Sequence, residues 1–218
     1  MVTIIDYGIG NLRSIEKAFE TVGAAVRRTD DPDAVASAER LVLPGVGAFR
    51  ACIDEIRSRT LEAPICDAID QGTLFLGVCV GMQLLFETGY EKGEHEGLGI
   101  LPGHVAHFRE TDIEMPKDLS VPHMGWNALD PTRESRLFLK GLGDAPYVYF
   151  VHSYHPVAEE TGDVLATTTY GHTFPSVVHR ENVFGVQFHP EKSQAAGLGL
   201  LENFATLPTS HQRERAVS

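Results

Sequence analysis

A cysteine flanked by glycines stands where a strand pattern gives way to a helix pattern. The segment 77–81, Gly-Val-Cys-Val-Gly, follows an apolar run at 73–78 and precedes apolar residues at helical spacing, 82–86. So sharp a turn favours glycine, because the backbones approach closely and a Cβ would crowd the corner. We therefore predict a nucleophile elbow, in which amide groups at the start of a helix stabilise the Cys79 thiolate. A small buried structural cysteine is the alternative.

The segments around this corner alternate between strand and helix patterns. Strands are predicted at 2–5, 25–28, 40–43 and 73–78, and helices at 12–22, 48–57 and 64–69. Parallel strands need crossover connections, which these helices supply. The prediction is a three-layer α/β fold, a mostly parallel sheet with flanking helices. A strand-rich segment is added at 98–188, with strands at 100–108, 126–129, 147–152, 164–170 and 174–179, and a closing helix is predicted at 195–204.

Length and composition indicate one compact domain. The 218 residues are 43% hydrophobic, and we predict a domain over 1–207 followed by a disordered tail over 208–218. A formal net charge of −12 argues against nucleic acid or an anionic membrane surface as partner. The three cysteines show no paired spacing, which argues against a disulfide framework. With no basic leader and no apolar run long enough for a bilayer, the chain is predicted to be cytoplasmic.

A histidine and a glutamate follow an alternating segment near the C-terminus. Residues 183–188 alternate in strand fashion, and His189-Pro190-Glu191 comes directly after them. Proline favours an extended backbone, so His189 and Glu191 are predicted to share a face. The carboxylate can then orient the imidazole, which becomes a candidate base for Cys79. By itself, His-Pro-Glu at a strand end is more often a turn.

A third motif, Pro44-Gly45-Val46-Gly47, ends a short apolar strand and opens a helix. Two glycines allow backbone N–H groups to point into a site, as a tetrahedral oxyanion requires. We interpret this motif as an oxyanion loop, with an ordinary strand-to-helix turn as the alternative.

Other motifs carry less weight. Gly8-Ile9-Gly10 lacks the third glycine of a dinucleotide fingerprint, since position 13 is Arg, and Asn11 is better explained as a helix cap. Two histidine pairs have a metal-like gap of three: His104 with His107, and His152 with His155. Both pairs lie in strand patterns, where odd spacing sends side chains to opposite faces. Neither a metal nor a cofactor is predicted.

Together the motifs resemble those of the class I, triad-type glutamine amidotransferases. The matching motifs are Gly-x-Cys-x-Gly-x-Gln at 77–83, His-Pro-Glu at 189–191 and Pro-Gly-Val-Gly at 44–47. Segments 6–12, 122–127 and 189–193 resemble those of members that supply ammonia to a cyclase subunit, a (β/α)₈ barrel, in histidine biosynthesis. The resemblance covers nearly all of residues 2–206.

This resemblance implies hydrolysis of L-glutamine through a thioester on Cys79, with His189 transferring protons and Glu191 orienting it. It also implies oxyanion donors at Gly47 and Val80. The family's glutamine-binding positions correspond to Gln83, Glu91, Ser153 and Tyr154. Candidates for the partner interface are Asn11, Trp126, Asn127 and Lys192.

Each of these positions has a plain structural alternative, and Trp126, the only tryptophan, could be a core residue. Two other enzyme functions share the triad: a stand-alone hydrolase of γ-glutamyl peptides and a glutaminase that serves another synthase. A non-catalytic interaction subunit is a third alternative, against which the intact Cys, His and Glu set argues.

Overall fold

The computed structural model describes residues 1–111, 113, 115–132 and 137–209. Fourteen strands lie within this part of the chain: β1 Val2–Ile5, β2 Val26–Thr29, β3 Arg40–Gly45, β4 Leu74–Cys79, β5 Phe86–Gly89, β6 His95–Glu96, β7 Leu101–His107, β8 His123–Ala128, β9 Asp130–Pro131, β10 Tyr147–His152, β11 Tyr154–Ala158, β12 Val164–Tyr170, β13 His172–Arg180 and β14 Val183–Val186. The α-helices are α1 Leu12–Thr21, α2 Pro32–Ala36, α3 Phe49–Ser58, α4 Glu62–Asp70, α5 Val80–Gln83 and α6 Gln194–Thr206.

An eight-stranded sheet forms the centre of the fold, with strand order β2-β1-β3-β4-β14-β13-β12-β9. Within this order the first five strands, β2, β1, β3, β4 and β14, pair with one another in parallel. The last three, β13, β12 and β9, add to β14 in antiparallel fashion. Residues 40–45 and 74–79 are buried throughout, as expected for strands covered on both faces. The predicted mostly parallel α/β sheet is confirmed.

Helices cover the sheet with apolar faces that recur every three or four residues. In α1 the buried side chains are Ile15, Ala18 and Phe19, and in α3 they are Phe49, Cys52, Ile53 and Ile56. The closing helix α6 packs against α1, with an aromatic contact between Phe19 and Phe204. These helices agree with the predicted ones to within two residues at each end.

The predicted helix over 82–86 is wrong. The helix after Cys79 is the four-residue α5, and the chain then enters β5, where Phe86 pairs with Leu101 of β7. Leu84, Leu85 and Phe86 are all completely buried. An apolar run buried on all sides does not distinguish helix from strand by its periodicity, which explains the error.

The strand-rich segment contributes the antiparallel end of the central sheet and the two-stranded sheet of β10 with β8. It also contributes β7 and β11 to a four-stranded sheet of order β11-β7-β5-β6, whose other two strands precede the segment. The short elements α2, β5, β6, β9 and β11 were not predicted. None of the helices in the described part of the chain is both long and apolar enough to span a membrane. The predicted tail falls almost entirely outside the described residues, which end at 209.

Candidate active site

Three neighbouring parallel strands end at the same edge of the central sheet and bring the predicted motifs together. Gly45 at the end of β3 lies opposite Cys79 at the end of β4, and Val78 lies opposite Val186 at the end of β14. His189 follows β14 by three residues. The edge formed by the carboxyl ends of parallel strands is where open α/β sheets place their sites.

Cys79 occupies a strained corner. Its backbone has φ +55° and ψ −111°, a region that non-glycine residues rarely adopt and that costs about 1–3 kcal/mol. A Cβ on Gly81 would collide with the carbonyl oxygen of Leu43, and one on Gly77 would collide with the backbone of Gly81. Glycine is therefore required on both sides of Cys79, as predicted, although α5 is too short to supply the helix dipole that was also expected.

His189 and Glu191 form a buried pair, with Nδ1 of the imidazole 3.0 Å from Oε1 of the carboxylate. Residues Pro190–Lys192 form a 3₁₀ turn, so the contact arises from a turn and not from the predicted extended backbone. Burial by itself lowers the pKa of His189. Hydrogen bonds and charge interactions with Cys79 and Glu191 outweigh this effect and raise the pKa to about 10. The site therefore favours an imidazolium beside the thiol.

Asn11 supports Glu191. Its Nδ2 atom donates to Oε1 of Glu191 at 3.4 Å, across 180 residues of chain. Asn11 stands at the N-cap position of α1, but its side chain caps no backbone N–H, so the predicted capping role is wrong. The second carboxylate oxygen, Oε2, is buried with no hydrogen-bond partner among the described residues.

Gln187 is a site residue that the sequence analysis missed. It is completely buried, and its Nε2 atom lies 3.8 Å from the Cys79 sulfur, where it can donate a hydrogen bond. Its Oε1 atom accepts from Nε2 of Gln83 at 3.0 Å, and the same Gln83 nitrogen donates to the Tyr154 carbonyl, also at 3.0 Å. The available signal was a polar side chain inside an apolar strand pattern, on the same face as His189.

A pocket of about 190 Å³ opens over Cys79 and His189. It is lined by both predicted oxyanion positions and all four predicted glutamine-binding positions: Gly47, Val80, Gln83, Glu91, Ser153 and Tyr154. The Glu91 carboxylate also accepts a hydrogen bond of 2.8 Å from the backbone N–H of Phe49, the first residue of α3. The fold thus gathers these residues around one cavity beside the thiol.

The oxyanion loop is held from its buried side. The Tyr7 hydroxyl donates to the Pro44 carbonyl at 2.8 Å, and the Cys52 thiol donates to the Val46 carbonyl at 3.5 Å. Because the C=O and N–H of a trans peptide point in opposite directions, the Gly47 N–H points away from Cys52. Gly47 has φ +85°, which explains the preference for glycine.

Three of the four predicted interface residues, Trp126, Asn127 and Lys192, lie in or beside the antiparallel pair β8 and β10, whereas Asn11 lies at the start of α1 beside Glu191. Trp126 is 44% exposed and its neighbours Met124 and Tyr147 are each 62% exposed, so the core alternative for Trp126 is wrong. Lys192 stands over the Tyr149 ring, 6.0 Å from its centroid. Asn127 differs, because its amide nitrogen donates to the Thr169 carbonyl at 3.0 Å and lies 3.4 Å from the His123 ring.

The described residues contain no group of three or more His, Cys, Asp or Glu side chains placed to hold a metal ion. The expectation that His152 and His155 point to opposite faces of one strand is wrong. The strand breaks at Ser153, so His152 ends β10 while His155 lies in β11, and both are buried against Phe108. All three cysteines are free.

Comparison with known proteins gives a family match over most of the chain. Residues 3–206 match the family described as glutamine amidotransferase class-I. The chain is 79% identical to the imidazole glycerol phosphate synthase subunit HisH of Salinibacter ruber, over all of both chains. It is 51% identical to the HisH subunit of Syntrophotalea carbinolica, over 95% of this chain and all of that one.

Solved structures share the fold at low sequence identity. A glutamine amidotransferase crystal structure matches with a TM-score of 0.68 and 20% identity, over 94% of this chain and 99% of that one. The PurLQS structure from Thermotoga maritima matches with a TM-score of 0.64 and 17% identity, over 100% and 98% of the two chains.

Proposed function

Because the chain belongs to the class I glutamine amidotransferases and, within them, to the HisH subunits of imidazole glycerol phosphate synthase, we propose that Cys79, His189 and Glu191 hydrolyse L-glutamine to glutamate and ammonia. The observation that carries this proposal is the convergence of three strand ends on one pocket. There a strained thiol faces a histidine whose other nitrogen is 3.0 Å from a buried carboxylate.

The carboxylate fixes which nitrogen of His189 faces the Cys79 sulfur. Nδ1 donates to Glu191, so Nε2 faces the thiol, and the raised pKa of His189 favours the form in which the thiol proton has already passed to Nε2. The thiolate attacks the side-chain carbonyl carbon of glutamine, and the imidazolium returns its proton to the departing ammonia. His189 then deprotonates a water, which attacks the thioester and releases glutamate and the free thiol. The imidazolium formed in this step protonates the departing sulfur, so His189 gains and loses a proton once in each half-reaction.

Charge that develops on the carbonyl oxygen requires hydrogen-bond donors. We assign this role to the backbone N–H groups of Gly47 and Val80, two residues that line the same pocket as Cys79. Each donor of this kind typically contributes about 10²- to 10³-fold in rate. Gln83, Glu91, Ser153 and Tyr154 are assigned to glutamine binding.

Ammonia attacks an electrophile only when unprotonated and is diluted once it enters bulk water, so a synthase must dock over the pocket. The HisH names of the relatives indicate a partner subunit within imidazole glycerol phosphate synthase. We propose a (β/α)₈ cyclase that combines the ammonia with a phosphoribulosyl-formimino aminoimidazole carboxamide ribonucleotide. Its products are imidazole glycerol phosphate and aminoimidazole carboxamide ribonucleotide.

The docking face is assigned to the exposed side chains near β8 and β10, namely Met124, Trp126 and Tyr147, together with Lys192 beside the pocket. Large aromatic side chains and methionine are enriched in protein interfaces. The amide groups of Asn11 and Asn127 are engaged within the chain. Their contribution to docking is therefore indirect, through the residues they hold.

The chemistry is tested by trapping the covalent intermediate. The complex is mixed with glutamine, quenched in acid and digested, and the peptide that contains Cys79 is examined for a γ-glutamyl adduct. We expect the adduct on Cys79, none on Cys52 or Cys66, and none in the Cys79→Ala variant. Glutamate release without any adduct in the wild type would contradict the thioester mechanism.

A further inference from the structure

Two pairs of buried histidines pack around the ring of Phe108. In the first pair, Nδ1 of His123 lies 3.0 Å from Nε2 of His152, and in the second, Nε2 of His155 lies 2.9 Å from Nε2 of His172. All four side chains are 3–6% exposed, and all four rings contact Phe108. The proposed mechanism uses none of them.

Hydrogen bonding fixes the tautomers of the first pair. Nδ1 of His152 lies 2.8 Å from the Tyr154 carbonyl oxygen, which can only accept, so Nδ1 carries the proton. Nε2 of His152 is then an acceptor for the Nδ1–H of His123. This leaves Nε2 of His123 to accept from the Asn127 amide at 3.4 Å. Burial keeps both rings neutral, since it holds the pKa of His123 at about 4 and that of His152 well below its usual value.

The Tyr154 carbonyl connects this pair to the nucleophile. Its oxygen also accepts from Nε2 of Gln83 at 3.0 Å, and the same nitrogen donates to Oε1 of Gln187 at 3.0 Å. Because Oε1 of Gln187 is turned toward Gln83, the NH₂ group of Gln187 is turned toward the Cys79 sulfur, 3.8 Å away. An amide flipped the other way would place its oxygen against the thiolate. The position of the Tyr154 carbonyl therefore helps to decide which end of Gln187 the nucleophile meets.

We propose that His123 and His152 are positioning residues that act through the Tyr154 carbonyl and Gln83. They hold Gln187 as a hydrogen-bond donor to Cys79, and they link the nucleophile to β8, the strand that carries Trp126 and Asn127. The consequence for glutamine turnover rests on the proposed function, whereas the consequence for reactivity of the thiol does not. A hydrogen bond to a charged acceptor is worth roughly a tenfold change or more in the population of the charged form.

The second histidine pair is a matched control within the same cluster. Its contact is 2.9 Å against 3.0 Å in the first pair, its two residues have the same exposures of 3% and 6%, and it also ends on a backbone carbonyl, since Nδ1 of His155 lies 3.0 Å from the Pro156 oxygen. That carbonyl belongs to β11 beyond Tyr154. Of the four histidines only His152 lines the pocket over Cys79, so His123 and His172 are the members of the two pairs that are matched in this respect. Removing this pair disturbs the packing around Phe108 without touching Gln83 or Gln187.

The test measures how fast iodoacetamide alkylates Cys79, read at the level of the peptide so that Cys52 and Cys66 do not interfere. It is applied to the full chain carrying His152→Leu, His152→Asn or His155→Leu, with glutamate release by the complex measured in parallel. We expect His152→Leu to slow alkylation about tenfold. His152→Asn, whose amide nitrogen stands close to the position of Nδ1, should recover most of the rate, and His155→Leu should match the wild type.

Equal rates in His152→Leu and His155→Leu, or no recovery in His152→Asn, would overturn the proposal. His123→Leu compared with His172→Leu repeats the test at two residues that do not line the pocket, and equal alkylation rates in these two variants would also overturn the proposal. Slower alkylation in a chain that releases no glutamate in any form would leave the positioning role standing and reject the glutaminase function. Normal glutamate release with unchanged alkylation would reject the positioning role alone.

Discussion

Nδ1 of His189 lies 3.0 Å from Oε1 of Glu191, and the two side chains are only 6% and 3% exposed. A carboxylate removed from water in this way is stabilised by its donors, and here it has two, the imidazole and the Asn11 amide. The same oxygen accepts both hydrogen bonds, so the orientation of the imidazole depends on Asn11 as well as on Glu191.

The Cys79→Ala variant should separate the two halves of the synthase reaction. Synthesis from glutamine should be lost, because no thioester can form, whereas synthesis from added ammonium should continue, because the acceptor chemistry belongs to the partner. Both rates are measured on the purified complex. Normal synthesis from glutamine by this variant would show that Cys79 is not the nucleophile.

Glu191→Gln should retain more glutaminase activity than His189→Ala. Glu191 orients the imidazole, whereas His189 carries the proton. In comparable triads, replacing the orienting residue lowers kcat by a factor that is roughly 10- to 100-fold smaller than the factor lost on replacing the base. The two kcat values are compared in variants with unchanged circular dichroism. A folded Glu191→Gln protein as inactive as His189→Ala would mean that the carboxylate does more than orient.

Asn11→Ala should lower kcat without weakening assembly. The amide reaches Oε1 of Glu191 at 3.4 Å, and losing one hydrogen bond to a charged group should slow turnover roughly tenfold. The affinity for the cyclase subunit, measured by titration calorimetry, should stay close to wild type. Loss of affinity with normal kcat in the saturated complex would instead support the direct interface role predicted from the sequence.

The isolated chain should be a poor glutaminase that becomes active when the cyclase and its ribonucleotide are bound. The loop Gly45-Val46-Gly47 can reorient at low cost, because glycine tolerates positive φ and a thiol such as Cys52 is only a weak donor to the Val46 carbonyl. Losing one oxyanion donor costs about 10²-fold or more. The Val46 carbonyl is turned toward Cys52 and the Gly47 N–H away from it, so the inactive state requires this peptide to flip. Docking would then have to favour the state with the Gly47 N–H turned toward the oxyanion by a few kcal/mol.

That activation is measured as glutamate release by the chain alone, with the partner, and with the partner and its ligand. The Trp126→Leu variant should show weaker activation of glutamate release, because the substitution weakens docking of the partner. Full turnover by the chain alone would reject the switch and favour a stand-alone γ-glutamyl hydrolase.

Stability should fall in mild acid because of the buried neutral histidines. Burial holds the pKa of His123 and of His155 at about 4, below the value of about 6.5 in an unfolded chain. Between these values the unfolded chain binds protons that the folded chain does not. The stabilisation is therefore complete above about pH 6.5 and is lost as the pH falls toward 4, by up to roughly 3 kcal/mol for each histidine.

The measurement is Tm as a function of pH, in the wild type and in His155→Leu. The wild-type Tm should drop between pH 6.5 and 4, and the variant, less stable at pH 7, should lose less over that interval. A wild-type Tm that is flat across this range would mean that the buried rings are already protonated or become hydrated.

The elbow around Cys79 could be predicted from the sequence because its requirement is local. Gly77 and Gly81 are needed where a strand turns sharply into a helix, and both close approaches involve backbone within a few residues or in the adjacent strand. The parallel strands could also be predicted, since their apolar runs alternate with amphipathic helices. The secondary structure of the short segment 82–86 could not be predicted, because its residues are buried on every side and would be so in either a helix or a strand.

The sequence by itself therefore determined the residue types of the candidate site, the alternation of strands and helices that leads to it, and the fold class. The order of the strands within the sheet was decided by the tertiary structure. Only the tertiary structure decided which polar groups meet. Asn11 reaches Glu191 across 180 residues, Gln83 reaches Gln187 across 104, and His123 reaches His152 across 29. Such partners have no spacing rule, because each buried polar group takes whichever donor or acceptor the packing of the sheets brings within about 3 Å of it.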